Sequence, residues 1–177
     1  MANTKQTATQ SVLEHGESVW KYTQRILKQD FEGMKIPNWL KDNFGEIISN
    51  LHYPKTIQEY NELHDCGKPY CLEVDSDGKR HFPNHAEVSK RVYLNLPGAN
   101  SIVGNLIGLD MIFHTFTAEE ITALNLSKRD SYTLLVTALS EIHSNAEMFG
   151  GIESVSFKQK WKKLDRRGNM IMKGGAE

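Results

Sequence analysis

An all-α chain with one small extended segment is predicted by three observations. Apolar residues recur at steps of three and four in six separate stretches. Turn-forming groups such as Gly67-Lys68-Pro69, Pro97-Gly98 and Gly150-Gly151 fall between those stretches. Only residues 71 to 82 read as extended arms around a turn. The chain has 177 residues, 39% of them hydrophobic and 24% charged, enough for a real interior in a single domain.

Residues 1–10 are polar and poor in aliphatic side chains, and are read as a disordered N-terminus. Order is expected from Ser11, where Val12, His15, Val19, Tyr22 and Ile26 form one stripe of an amphipathic helix ending near Asp30 to Gly33. Pro37 opens a second helix with Leu40, Phe44, Ile47, Ile48 and Leu51 on one side, closed by His52-Tyr53-Pro54. Thr56, Ile57, Tyr60, Leu63 and His64 make a third, stopped at Gly67-Lys68-Pro69. Asp75-Ser76-Asp77-Gly78, between Cys71–Val74 and Lys79–Phe82, has the composition of a turn and predicts a small β-hairpin or an ordered loop. Pro83 suits a first helical turn, and His85, Val88, Ser89, Val92 and Leu96 continue it to Pro97-Gly98. The next helix starts near Asn100 with Val103, Ile107, Asp110 and His114 on one face. Thr117-Ala118-Glu119-Glu120 reads as a capping box for a short helix through Leu124. A long helix from Asp130 to Phe149 puts Leu134, Ala138, Glu141 and Asn145 on a common stripe and ends at Gly150-Gly151. One helical domain over residues 11–151 is expected, followed by a C-terminal extension over 152–177.

Charge is uneven along the chain. The extension holds seven Lys and Arg against three acids, net +4, in a chain whose formal net charge is -1. A basic tail therefore follows an acidic body, and global attraction to DNA or anionic lipid is excluded as an argument. Cys66 and Cys71 cannot make a disulfide framework, and Cys66, followed by Gly67, is read as a small packing residue. No apolar run approaches a membrane span, so no membrane partner is expected and a cytoplasmic location is the default. Whether copies associate into a homo-oligomer stays open.

Five helices carry metal-competent groups on stripes that should be buried: His15; His64 with Asp65; His85; Asp110 with His114; and Glu141. Burying this many ionisable groups is costly unless they are paired or hold a cation, so a shared metal centre is the economical reading. Imidazole with carboxylate suits Mn, Co, Ni, Fe, Mg or Zn, and the lack of clustered Cys argues against structural zinc. Asp110 and His114, four apart, would lie one above the other on a helix. The adjacent His64 and Asp65 diverge on a regular helix, so both can ligate only near a helix end, where Gly67 and Pro69 place one.

Leu63-His64-Asp65-Cys66-Gly67-Lys68-Pro69 resembles the signature of the HD-domain metal-dependent phosphohydrolases, an α-helical superfamily. His15 matches that family's early His and His85 its further His. Asp110-Met111-Ile112-Phe113-His114 is similar to the paired-His segment in the HD domain of bacterial CCA-adding tRNA nucleotidyltransferases, with Asp110 standing where that segment begins with His. Glu141 stands where the family has a late Asp. His15 and His64 are 49 residues apart, wider than in compact members, and an added helix around Trp39 to Leu51 accounts for the gap. The resemblance covers about residues 11 to 150 and implies an HD-type helical bundle.

It further implies that His15, His64, Asp65 and Glu141 hold one divalent ion, and that Asp65 bridges to a second held by His85, Asp110 and His114. His64, Asp65 and Lys68 would carry the chemistry, with Lys68 on a phosphate oxygen. Lys79 and Arg80 beside the hairpin would assist in binding substrate. Lys158, Trp161 and Arg166 in the basic extension would grip an RNA or DNA 3'-end, combining cations with an aromatic platform. The implied activity is hydrolysis of phosphate esters of nucleotides or of terminal or cyclic phosphates of nucleic acids, as in phage-type RNA repair. A dNTP (tri)phosphohydrolase and a degenerate fold that binds nucleotide or a partner without catalysis are the alternatives.

Overall fold

The structure, a computed structural model, describes residues 1–6 and 10–174. In chain order the elements are α1 (Val12–Leu27), α2 (Asn38–Asp42), α3 (Phe44–Ser49), α4 (Pro54–Leu63), a 3-10 turn (Lys68–Tyr70), β1 (Glu73–Val74), β2 (Arg80–His81), α5 (His85–Leu94), α6 (Ser101–Gly108), α7 (Ile112–Thr115), α8 (Ala118–Ala123), α9 (Lys128–Ser144) and α10 (Val155–Gly174). The fold is all-α with one small antiparallel hairpin, as expected. Among the described residues no helix is long and apolar enough to cross a membrane. The chain divides into two compact units, Met1–Ser18 with Pro54–Asp110, and Val19–Tyr53 with Met111–Glu177.

In the first unit α4, α5 and α6 pack around Ile57, Tyr60, Tyr93, Val103, Leu106 and Ile107, all buried. Asn100 caps α6 by accepting from the Ile102 N–H at 2.9 Å, while its own N–H donates to the Tyr93 hydroxyl at 3.0 Å. In the hairpin, Glu73 pairs with His81 and Val74 with Arg80. Its turn is held by Asp75 Oδ1, which accepts from the N–H groups of Asp77 and Lys79 at 3.1 and 2.8 Å, and Gly78 supplies the positive φ the turn needs. Residues 4–6 lie against the start of α1: Val12 N–H donates to the Thr4 carbonyl at 2.8 Å, and Lys5 bridges to Ser11. Thr7, Ala8 and Thr9, within the terminus expected to be disordered, lie outside the described residues.

The second unit is built around α9. Every residue from Ser131 to Ser140 is buried, so this helix is enclosed on all sides rather than along one stripe. Its interior hydroxyls are satisfied locally: Ser140 donates to the Val136 carbonyl at 3.0 Å and accepts from Thr23 of α1 at 2.9 Å. The segment after residue 152 is a 20-residue helix packed on α9, α2 and α7, with Phe157 and Leu164 buried. At Gly168 a Cβ would overlap the Trp39 indole, so the glycine sets how closely α10 meets α2. Arg167 donates to the carbonyls of Phe113 at 2.8 Å and Phe116 at 3.0 Å, satisfying the C-terminal end of α7.

Several expected helices differ: among them, α9 ends at Ser144 rather than at Phe149, and α5 begins at His85, after Pro83. The helix expected from Pro37 to Leu51 is two, because Asn43 turns its amide onto the Trp39 carbonyl at 2.9 Å and interrupts the run. Pro54 begins α4 rather than only closing the helix before it, which suits a residue without an N–H. The helix expected to carry both Asp110 and His114 ends at Gly108, and α7 begins at Ile112, so the two residues are not stacked on one helical face. Thr117 and Glu120 form the expected capping box of α8, with both reciprocal hydrogen bonds present.

His143, buried in the second unit, gives a pH prediction. Burial pushes its pKa down to about 4, and the ring lies between Tyr22 and Phe157 with Nε2 at 3.2 Å from the Lys35 carbonyl. A base with a depressed folded pKa binds fewer protons folded than unfolded between pH 6.5 and 4. Its contribution is therefore present above that window and is lost as pH falls through it, by about 3 kcal/mol at pH 4. Urea unfolding from pH 7 to 4 should show a loss shallower by that amount in His143→Gln; parallel profiles would contradict it.

Candidate metal centre

The candidate centre in the first unit is assembled by two glycines. Gly16, next to His15, faces the Glu62 backbone so closely that a Cβ would overlap its carbonyl. This brings the start of α1 against the end of α4, and the His15 and His64 rings meet edge to face with centroids 5.2 Å apart. Gly67 in the same way faces the backbone of Val88 and Ser89, which lets the turn after α4 lie on α5. Ser89 fixes that approach: its hydroxyl accepts from the Gly67 N–H at 2.9 Å, and its carbonyl accepts from the Cys66 thiol at 3.3 Å. Because α4 ends at Leu63, His64 and Asp65 sit at the helix end their adjacency requires.

Asp65 is the hub. His64 Nε2 lies 3.2 Å and His15 Nε2 3.8 Å from its Oδ2, and His85 Nε2 lies 3.7 Å from its Oδ1. Lys68 places its ammonium 2.6 Å from Oδ2, over the Phe82 ring, and donates to the Gln6 side-chain carbonyl at 3.0 Å. His15, His64 and Asp65 are almost wholly buried, at 0%, 1% and 1% exposure, and Lys68 at 7%. Burial alone would push the Asp65 carboxyl up, but His64, Lys68 and His15 facing it outweigh that and hold it well below the usual carboxylate range. Cys66 responds in the opposite sense: burial and the Asp65 charge push its thiol up to about 11, which fits the packing role expected of it and not a nucleophile.

The donor set fits a divalent cation. A carbonyl can only accept, so His64 Nδ1, 2.8 Å from the Asn61 carbonyl, carries the proton, and so does His85 Nδ1, 3.0 Å from the Phe82 carbonyl. In the neutral rings Nε2 is then the lone-pair atom, turned toward a carboxylate. Two electron-rich atoms meet comfortably only with a cation between them or a proton added to the ring. Ligands bound about 2.0 to 2.2 Å from one ion lie roughly 3 to 3.5 Å from each other, which brackets the His64–Asp65 separation. Asp65 Oδ1 accepts no hydrogen bond among the described residues, as an oxygen that ligates an ion would not. His15 and His64 each offer a ligand atom within 4.8 Å of the other, close enough to share one ion.

The remaining expected ligands are placed as follows. Asp110, also in the first unit and buried, accepts from the Tyr60 hydroxyl at 2.5 Å. His114 and Glu141 belong to the second unit, where their Nε2 and Oε2 atoms lie 2.7 Å apart. Lys79 and Arg80 are exposed on the hairpin, and Arg80 donates to the Lys5 carbonyl at 3.3 Å. Lys158 and Arg166 are exposed on α10. Trp161 is not the open stacking platform expected: its indole N–H donates to the Lys35 carbonyl at 2.7 Å, and the Lys35 ammonium lies over its ring at 4.9 Å. Sequence reasoning did not single out Tyr60 or Gln6. Tyr60 stands four residues before His64 on the stripe of α4, with their rings edge to face at 6.5 Å, a spacing that could have flagged it. Nothing local marks Gln6, which is 62 residues from Lys68.

No family model, curated protein or solved structure matches the chain.

Proposed function

We propose that the chain is a divalent-metal-dependent phosphohydrolase acting on nucleotides or on terminal or cyclic phosphates of nucleic acids. The observation that carries the reading is the convergence of His15, His64 and His85 Nε2 on the single buried carboxylate of Asp65. These four residues would hold the ion, which when bound supplies a water of lowered pKa and positive charge beside the phosphoryl oxygens. The Lys68 ammonium, 2.6 Å from Oδ2, favours the ionised Asp65 carboxylate whether or not the imidazoles carry a proton. Asn61 and Phe82, through their carbonyls, keep His64 and His85 in the tautomer that offers Nε2. Lys68, its ammonium on Asp65, acts by holding that carboxylate rather than by reaching a phosphate. Lys79 and Arg80, exposed on the hairpin, would meet an incoming phosphate.

One observation favours a second reading. The Lys68 ammonium already gives Asp65 an internal countercharge, as it would in a fold that binds nucleotide without turning it over. The test is phosphate release by purified protein with Mn, Co, Ni, Fe, Mg or Zn, against dNTPs, nucleoside monophosphates, 3'-phosphorylated RNA and 2',3'-cyclic nucleotides. Metal-dependent turnover of nucleotides or terminal or cyclic phosphates, abolished by His64→Ala, is expected. Turnover confined to dNTPs would assign the (tri)phosphohydrolase alternative, and none with any metal would leave the binding fold.

A further inference from the structure

The outward face of α10 carries an arrangement separate from the histidine cluster. At 100° per residue, Phe157, Trp161, Leu164 and Gly168 share one side, and three of them are buried in the second unit. Lys158, Lys162, Arg166, Asn169 and Lys173 fall together on the other side, within about 80° of arc. The four cations among them are exposed. Successive rungs four residues apart are separated by about 6 Å, and the stripe runs about 22 Å along the helix. A shallow groove lined by Arg166, Asn169, Met170, Lys173 and Gly174 follows its C-terminal end.

Little neutralises this row. Glu153 reaches Lys158 at 2.7 Å, but both are exposed and such pairs are weak. Asp165 sits at the edge of the stripe and is hydrogen-bonded by the Asn169 amide at 2.8 Å through its carbonyl and at 3.3 Å through its carboxylate. The other cations of the segment are differently placed: Arg167 holds the end of α7, Lys160 lies over the Phe149 ring, and Lys163 is turned off the stripe. The apolar side of α10 is packed inside the unit, so the helix has no apolar face to lay into a lipid surface. Trp161 is held by Lys35, so the stripe has no open aromatic ring for base stacking.

We propose that this stripe binds the sugar-phosphate backbone of a single-stranded nucleic acid, without reading its bases. Lys158, Lys162 and Arg166 at steps of about 6 Å, with Lys173 about 10 Å further on and Asn169 between, track one chain of regularly spaced negative charges. The proposal stands on α10 alone and does not depend on the metal reading. It is tested by fluorescence anisotropy of the full chain with an end-blocked 20-nucleotide RNA of mixed sequence, without added metal, over a range of salt. Four phosphate contacts give a slope of log K against log salt of roughly -3. Lys162→Glu with Arg166→Glu should weaken binding at low salt at least about tenfold and flatten the slope to roughly -1. Lys41→Glu with Lys55→Glu makes the same change in net charge elsewhere and should leave the slope unaltered. Thermal melts confirm that both pairs fold. Absence of binding at low salt, an equal loss in the control pair, a strong dependence on base sequence, or tighter binding of the matching duplex would overturn the proposal.

Discussion

Asp65→Asn should abolish metal-dependent phosphate release and lower stability by about 3 kcal/mol, since it removes the hub of the centre and leaves the Lys68 ammonium buried against a neutral amide. These two consequences separate in a second variant. Adding Lys68→Met to Asp65→Asn removes the stranded charge, so urea unfolding should recover most of the lost stability while phosphate release stays absent. If Asp65→Asn releases phosphate at the rate of the parent, the carboxylate is not at the reacting centre. If Lys68→Met restores no stability to it, the Asp65–Lys68 pair does not act as described.

The second large effect lies in the backbone. Gly67→Ala should cost about 3 kcal/mol, because its Cβ would fall on the Val88 and Ser89 backbone, which cannot swing aside as a flexible side chain can. Gly16→Ala meets the Glu62 carbonyl in the same way. Gly98→Ala meets no neighbouring atom, and its φ of +76° adds only a backbone cost of about 1 kcal/mol. Denaturation midpoints of the three variants check the ordering. A Gly67→Ala protein as stable as its parent would mean that the turn after α4 does not pack on α5 as closely as described.

These residues also show what was legible in the sequence. The all-α class, the hairpin around Asp75–Gly78, the α8 capping box and the helix end beside His64 and Asp65 follow from local spacing and local chemistry. Those signals act over a few residues, which is the range a sequence pattern covers. The break between Asp110 and His114 was hidden because Gly108-Leu109 is apolar and continues the periodic pattern, while the Tyr60 hydroxyl that holds Asp110 comes from α4. The stripe of Leu134, Ala138, Glu141 and Asn145 is too narrow for α9, because the polar Ser131, Thr133, Thr137 and Ser140 are buried as well. Small hydroxyls can enter an interior when backbone or neighbouring oxygens take their protons.

The candidate site divides in the same way. The residue types that surround Asp65 were legible, since His15, His64 and His85 occupy positions on otherwise apolar stripes. The partner of Lys68 was not, because an ammonium beside a helix end looks solvent-facing until Gln6 and Asp65 are brought to it. Trp161 was read from composition as a surface aromatic among cations. The Lys35 carbonyl that takes its N–H lies 126 residues away.

As proposed, His15, His64, Asp65 and His85 hold a divalent cation. Isothermal titration of Mn into metal-free protein, beside the His64→Gln and Asp65→Asn variants, tests it most directly. Saturable binding by the parent protein at a stoichiometry of one or two ions per chain is expected, with at least about a tenfold loss of affinity in each variant. Parent protein that takes up no ion, or variants that bind as tightly as the parent, would contradict it.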